Sequence, residues 1–407
     1  MLFEILCLPL VIVAFLVVRI IPRTIFSNND YLGTDQWFHF YLARSYRELG
    51  FFRNGSWPRV DTSPPPLFYP PLFHLLISRV PSTALLRWSP YITPLVQFIE
   101  LVVLGMFSYH LASMVSPGIE LKIACLTCLI IAFLPILFGP NSGMVFSSPR
   151  PLGVLLANTG LASMYFFSQG WAPLLFIPLL IMSVILASLT SRFAVQALLF
   201  IGTIYSALTW NPGAWLILAG SYLIPIIAGY SLFLPLCRNH LRHIILYKLV
   251  FEKKSDYMTA KHQGTPSVLV SALNALIHLK WREASEVLYS SALMRIILMN
   301  PLAVFVVVGG AVFINEMPQA LRDLFILLVS VLIITILTAW RPLKFLGDAE
   351  RYIEFGALLP IAFLTVWYAL SSSTMAVIAI LLMIYSIVFC FFSFRLHPRI
   401  DHDSLIE

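Results

Sequence analysis

The sequence predicts an all-α polytopic membrane protein, and three observations predict it. Hydrophobic residues make up 59% of the 407-residue chain, charged residues only 11%, and the mean hydropathy is +0.87; soluble domains carry about 45–50% apolar and about 25% charged residues. Runs apolar enough to cross a hydrocarbon core of about 30 Å recur at 2–22, 90–111, 122–139, 151–168, 172–188, 193–211, 213–236, 295–314, 322–340, 352–370 and 373–394. They give about eleven candidate helices in a single transmembrane unit over 1–394, followed by a polar tail at 395–407.

The first run has no small-residue cleavage site and ten more runs follow it, so it reads as a retained anchor and not a signal peptide. Cys125 and Cys128 form a CxxC without a second pair or a histidine cluster, so the expectation is buried apolar thiols and not zinc or redox chemistry. No internal repeat is visible, which weakens inverted-repeat transporter architectures.

The net charge of +7 sits mainly in two polar regions. One is 23–88, with Arg23, Arg44, Arg47, Arg53, Arg59, Arg79 and Arg87; the other, 237–294, is a basic connector. Eleven spans place both on one face with 140–150, 189–192, 341–351 and the tail. Positive-inside counting makes that face cytoplasmic, although loops of about 60 residues are at the limit of the rule. The expected partners are membrane lipids, with no nucleic acid; the oligomeric state cannot be read.

In the first loop, Thr34, the helix formers from Asp35 to Leu49 and Gly50 read as N-cap, helix and C′ glycine. Phe38, Tyr41, Leu42, Ser45 and Leu49 make a moderately apolar stripe, so this helix is expected to lie in the interface. Asp35 and His39 are four apart and share a side, either as a functional pair or as a helix-start aspartate with a solvated histidine nearby. The prolines at 64, 65, 66, 70 and 71 stiffen the following strap, which presents Asp61, Tyr69 and His74 or simply crosses the surface.

Later returns to the same face carry "SSPRPLG" with Arg150, "SLTSRFAVQ" with Arg192 and Gln196, and "GDAERYIEFG" with Asp348, Glu350, Arg351, Tyr352 and Glu354. Arg341 and Lys344 read as headgroup-boundary snorkellers. Arg150, Arg192 and Arg351 come from separate helices, and guanidinium groups gathered beside a carboxylate suit bidentate recognition of a phosphate or diphosphate. Glu100 stands in mid-span, where a carboxylate is either functional or the partner of a buried arginine or tyrosine.

"GTDQWFHFYLAR" after the first span resembles the first-loop acidic motif of GT-C fold glycosyltransferases, in particular the oligosaccharyltransferase catalytic subunit and its bacterial and archaeal relatives. "YPPLFHLL", "PRPLG", "LTSRFAVQ" and "RYIEFG" look like returns of uncharacterised membrane proteins in that superfamily. The resemblance spreads over roughly 20–360. It implies a GT-C-like bundle in a prokaryotic plasma membrane, a polyprenyl-phosphate-linked sugar donor, an extracytoplasmic active site and inverting transfer. Asp35 aligns with the family's first-loop acid, a base or metal ligand, and Arg351 with an arginine near the last catalytic return.

Two departures stand out. "GPNSGMVFSSPRP" holds no second acidic motif, and the chain stops at Glu407 without a large soluble domain. Both argue against protein N-glycosylation, and the first against an assured Mg²⁺ or Mn²⁺ site, for which Asp35 is the one nominated ligand. The expectation is therefore a glycosyltransferase with Asp35 as base assisted by His39, Arg351 with Arg192 or Arg150 at the departing phosphate, and Tyr69 and Tyr352 lining the sugar pocket. A transporter or scramblase of a lipid-linked or anionic solute is the competing expectation, favoured by Glu100 and the Asn211–Gly213 turn. A non-catalytic assembly subunit is the third.

Overall fold

The computed structural model describes residues 2–20, 34–49, 69–134, 148–246, 248–249, 265–280, 283–284, 287–288, 292–347 and 349–396. Asp61, the prolines at 64–66, most of "GPNSGMVFSSPRP", Asp348 and the polar tail lie outside them, as do the side chains of Asp35, Arg341, Lys344 and Glu350.

Among the described residues the structure is helical, without strands. In chain order the elements are α1 (Leu2–Phe15), continued by a π-helical turn at Leu16–Ile20, α2 (Thr34–Leu49), α3 (Leu72–Ser78), α4 (Ser82–Val115), α5 (Glu120–Phe133), α6 (Pro149–Ser168), α7 (Pro173–Ser188) and α8 (Arg192–Leu208). There follow α9 (Pro212–Ala228), α10 (Tyr230–Leu246), α11 (Thr265–Ile277), α12 (Ala292–Met299), α13 (Pro301–Phe313) and α14 (Gln319–Ala339). A 3₁₀ turn at Arg341–Leu346 then leads to α15 (Ala349–Glu354), α16 (Leu358–Ser371) and α17 (Ser373–Leu396).

Each apolar run of the sequence contains a helix, but the runs are not all single rods. By length and composition Tyr91–Val115 and Gln319–Ala339 are each able to cross a membrane, and Pro212–Ala228 with Phe233–Ile245 would form a third span bent by 120°. The run at 213–236 therefore breaks where one span was expected, at Gly229, and the run at 295–314 breaks at Asn300–Pro301. Proline lacks the donor that would continue the preceding helix, and it fits the first turn of the next. The Asn211–Gly213 turn has the same local explanation. Asn211 caps α9 by accepting from the Ala214 N–H at 3.0 Å, with Pro212 in the first turn.

Helices α6 and α16 form the centre. Leu358 to Val366 are buried without interruption, and Ala157, Met164, Tyr165 and Phe166 are sealed in the same core. The periphery is apolar and exposed: Ile227, Val308, Val377, Ile380, Leu381 and Ile384 all face outward. Helices that are apolar on both their buried and their exposed sides are compatible with a lipid surround.

Contacts define the two ends of the bundle. At one, Tyr165 donates to the Ala320 carbonyl and Gln169 to Asp323. At the other, Leu72 N–H donates to the Leu189 carbonyl at 2.7 Å, tying α3 to the α7–α8 turn, and Arg150 meets Glu354. Among the described residues, Arg150, the turn at 189–192 and Gly347 lie at this second end. Small residues permit the close approach there: Gly347 has φ +132°, and a Cβ on it would lie 2.5 Å from Cε1 of Phe193.

Candidate functional site

Helix α2 packs on α3 through His39, Leu42, Ala43 and Tyr46, spaced i, i+3, i+4, i+7. Of the expected stripe Phe38, Tyr41, Leu42, Ser45 and Leu49, Leu42 is buried, Phe38 and Ser45 are half-buried and Tyr41 is 56% exposed, so the buried face is turned toward His39. The reason is His39. Counted as polar in the sequence, it becomes a core residue by pairing with a second imidazole. Arg47 fixes the hairpin from the other end, donating Nε to the Ser78 carbonyl at 2.7 Å and Nη2 to the Val80 carbonyl, where a cation suits the last turn of α3.

His39 Nδ1 lies 2.9 Å from His74 Nε2, and His74 Nδ1 lies 3.2 Å from the Pro70 carbonyl oxygen. Burial lowers the His39 imidazole to about 4. His74 falls to about 3, through burial first and the neighbouring His39 second, with the Pro70 carbonyl opposing. Both rings are thus neutral near pH 7. Tyr46 stacks on His74 with centroids 6.1 Å apart, and burial holds its hydroxyl well above the usual phenol range.

Tyr69 stands edge-on to both imidazoles, 5.3 Å from each centroid. On the same ring lies the Arg192 guanidinium, 5.5 Å from the centroid. Arg192 is the first residue of α8 and lines a pocket of about 50 Å³ with Pro70, Tyr222, Phe233, Cys237 and His240. That is room for about three waters or a group of similar size. His240 Nε2 is buried there without a hydrogen-bond partner. Arg192 lies near both His240 and His243, and Arg351 near His243. The Arg351 guanidinium itself lies 4.2 Å from the centroid of the Phe193 ring.

Arg150 belongs to a different cluster. Its Nε and Nη2 engage the Glu354 carboxylate at 2.9 and 2.6 Å. Asn158 Nδ2 bridges the Glu100 carboxylate at 2.7 Å and the Glu354 backbone carbonyl at 3.2 Å. Arg19, buried in the π-helical turn, donates to the Ile131 carbonyl at 3.3 Å and attracts Glu100. Glu100 thus has a buried hydrogen-bond partner in Asn158, with Arg19 nearby.

Of the expected site residues, the structure brings His39, Tyr69, Arg192 and Arg351 to one end of the bundle. Arg150 is held by Glu354 and cannot turn both faces of its fork to a phosphate. Tyr352 is 1% exposed and donates its hydroxyl to the Leu346 carbonyl at 2.7 Å, so it pins the 3₁₀ turn and does not line a sugar pocket. Asp35 opens the first turn of α2, and its side chain lies outside the described residues. Sequence reasoning missed His240 and His243, which it passed over as part of a basic connector; their three-residue spacing on the amphipathic α10 was the available signal. Among the described residues no group of three His, Cys, Asp or Glu side chains is placed to hold a metal ion. In comparisons with known proteins, no family model, no curated protein and no solved structure matches the chain.

Proposed function

We propose that the chain is an eleven-span, GT-C-like membrane glycosyltransferase that moves a sugar from a polyprenyl-phosphate-linked donor to a hydroxyl acceptor with inversion, at the extracytoplasmic face of a prokaryotic plasma membrane. The observation that carries this reading is the convergence of Arg192, Arg351, His240 and His243, from α8, α15 and α10, beside a buried pocket at the end of the bundle that also holds α2. Guanidinium groups from separate helices at one end of the bundle suit bidentate recognition of a phosphate.

In this mechanism the phosphate of the donor sits against Arg192 and Arg351, which hold the charge that accumulates on its oxygens as the bond to the anomeric carbon breaks. Tyr69 faces the sugar. The acceptor approaches from the side of α2, where Asp35 and His39 share one face and receive the hydroxyl proton. Arg150 and Tyr352 hold the frame. No step is assigned to Mg²⁺ or Mn²⁺, since the side chain of Asp35, its one nominated ligand, is not described.

The test is purified protein in nanodiscs with a polyprenyl-phosphate hexose radiolabelled in the sugar. Transfer of label supports the reading, and Arg192→Met lowers its rate by about 10²–10³-fold. One observation favours a transporter or scramblase: the 120° bend between α9 and α10, beside the pocket, is the broken-helix geometry of many substrate sites. Flux of the lipid donor across liposomes without transfer would establish that second reading.

A further inference from the structure

We infer that His39 takes the acceptor's proton and that His74 is the positioning residue that keeps the Nε2 lone pair of His39 bare; the inference rests on the glycosyltransferase reading. The constraint begins at Pro70. Its carbonyl oxygen can only accept, so the 3.2 Å contact requires a proton on His74 Nδ1. A neutral imidazole carries one N–H, which leaves Nε2 of His74 as an acceptor. That atom lies 2.9 Å from His39 Nδ1, which must therefore be the donor. The remaining nitrogen of His39, Nε2, is then unprotonated, and among the described residues it makes no hydrogen bond. The opposite tautomers would set lone pair against lone pair at Pro70.

A backbone oxygen thus fixes the basic atom of a side chain 31 residues earlier, through one intervening ring. His74 is fully buried and His39 is 5% exposed, so neither ring turns freely. The charged and titratable groups around the pair are Tyr46 on α2, Tyr69 ahead of α3 and Arg192 beyond Tyr69, with Asp35 one turn earlier on α2. His39 and Arg192 both lie against the Tyr69 ring, 5.3 and 5.5 Å from its centroid, so the base and the phosphate ligand share one aromatic neighbour.

The step balances. The acceptor oxygen bonds to the anomeric carbon, the bond from that carbon to the phosphate oxygen breaks with its electron pair passing to the phosphate, and the hydroxyl proton moves to His39 Nε2. The resulting imidazolium still donates from Nδ1 to His74 and returns its extra proton to solvent.

Two measurements on the full-length protein in nanodiscs test this. Nitrogen NMR of histidine-labelled protein reads the tautomers directly: His39 is expected as Nδ1–H with a bare Nε2. His74→Gln keeps that signature, because an amide both accepts from His39 and donates to Pro70, and His74→Phe loses it. In the radiolabel assay His39→Gln lowers kcat by about 10²–10⁴-fold. His74→Phe lowers kcat with little change in donor KM, and His74→Gln restores it. The acid limb of the rate profile persists in Asp35→Asn and vanishes in His39→Gln.

A proton on His39 Nε2 overturns the inference, as does an acid limb that survives His39→Gln and disappears in Asp35→Asn, which returns the base role to Asp35. Wild-type protein that shows the expected tautomers but no transfer overturns the glycosyltransferase reading and, with it, the catalytic role of His39.

Discussion

Arg150 and Glu354 meet in the bundle with three hydrogen bonds of 2.6–2.9 Å, and Asn158 ties them to Glu100. Arg192, Arg351, His240 and His243 converge at the end of the same bundle on aromatic rings and on one another. The two regions draw on the same residue types and differ in balance. In the first, each carboxylate has a guanidinium near it, so the desolvated charges offset one another and the cluster works as a clasp between α4, α6 and α15. In the second, the Arg192 guanidinium lies against the Tyr69 ring and that of Arg351 against the Phe193 ring, with Arg192 and His240 lining a pocket of about 50 Å³. Arginine at a helix end is therefore not enough to nominate a phosphate ligand, because an acid from a distant segment can occupy its fork, as Glu354 does for Arg150.

That difference sets the largest expected effect. Glu354→Ala leaves Arg150 buried without its carboxylate and should cost about 3–5 kcal/mol of stability, seen as a large fall in the denaturation midpoint in detergent. Adding Arg150→Met should restore much of the loss, and a double variant as unstable as the single one would break the clasp account.

The imidazole pair gives the next effect, and its sign follows from burial. Both native values lie below the ordinary 6.5 of histidine. As pH falls below that value the unfolded chain gains protons that the native rings refuse until about 4 for His39 and about 3 for His74. Stability is therefore complete above 6.5 and declines in acid, by at most about 1.4 kcal/mol per pH unit for each ring. Denaturation midpoints measured from neutral pH down to about 4.5 should show this decline, and His39→Gln with His74→Gln should flatten it. The smallest effect belongs to Tyr352→Phe, which removes one hydrogen bond to Leu346 and should cost about 1 kcal/mol while leaving sugar transfer intact.

Helix content and approximate positions were legible in the sequence because apolar run length survives folding. Breaks at Gly229 and Asn300 were not, since residues on both sides stay apolar and hydropathy does not register a change of direction. The α2 helix was read to within a residue, yet its buried face was rotated because His39 was scored by its solvated character. Glu354 lies 204 positions from Arg150, so no local pattern could pair the two; only the fold brings that acid to that arginine. Tyr69 was recognised beside the proline strap, whereas His240 and His243 were lost in a region read as charge alone.

The most direct measurement is thermal unfolding of the detergent-solubilised protein titrated with a polyprenyl phosphate lacking the sugar, in wild type and in Arg192→Met/Arg351→Met. A ligand that binds only the native state at about a hundredfold over its Kd stabilises by about 2.7 kcal/mol, so the wild-type midpoint should rise by several degrees and the double variant should not respond. Equal shifts in both proteins, or none in the wild type, would contradict an anion site at this end of the bundle.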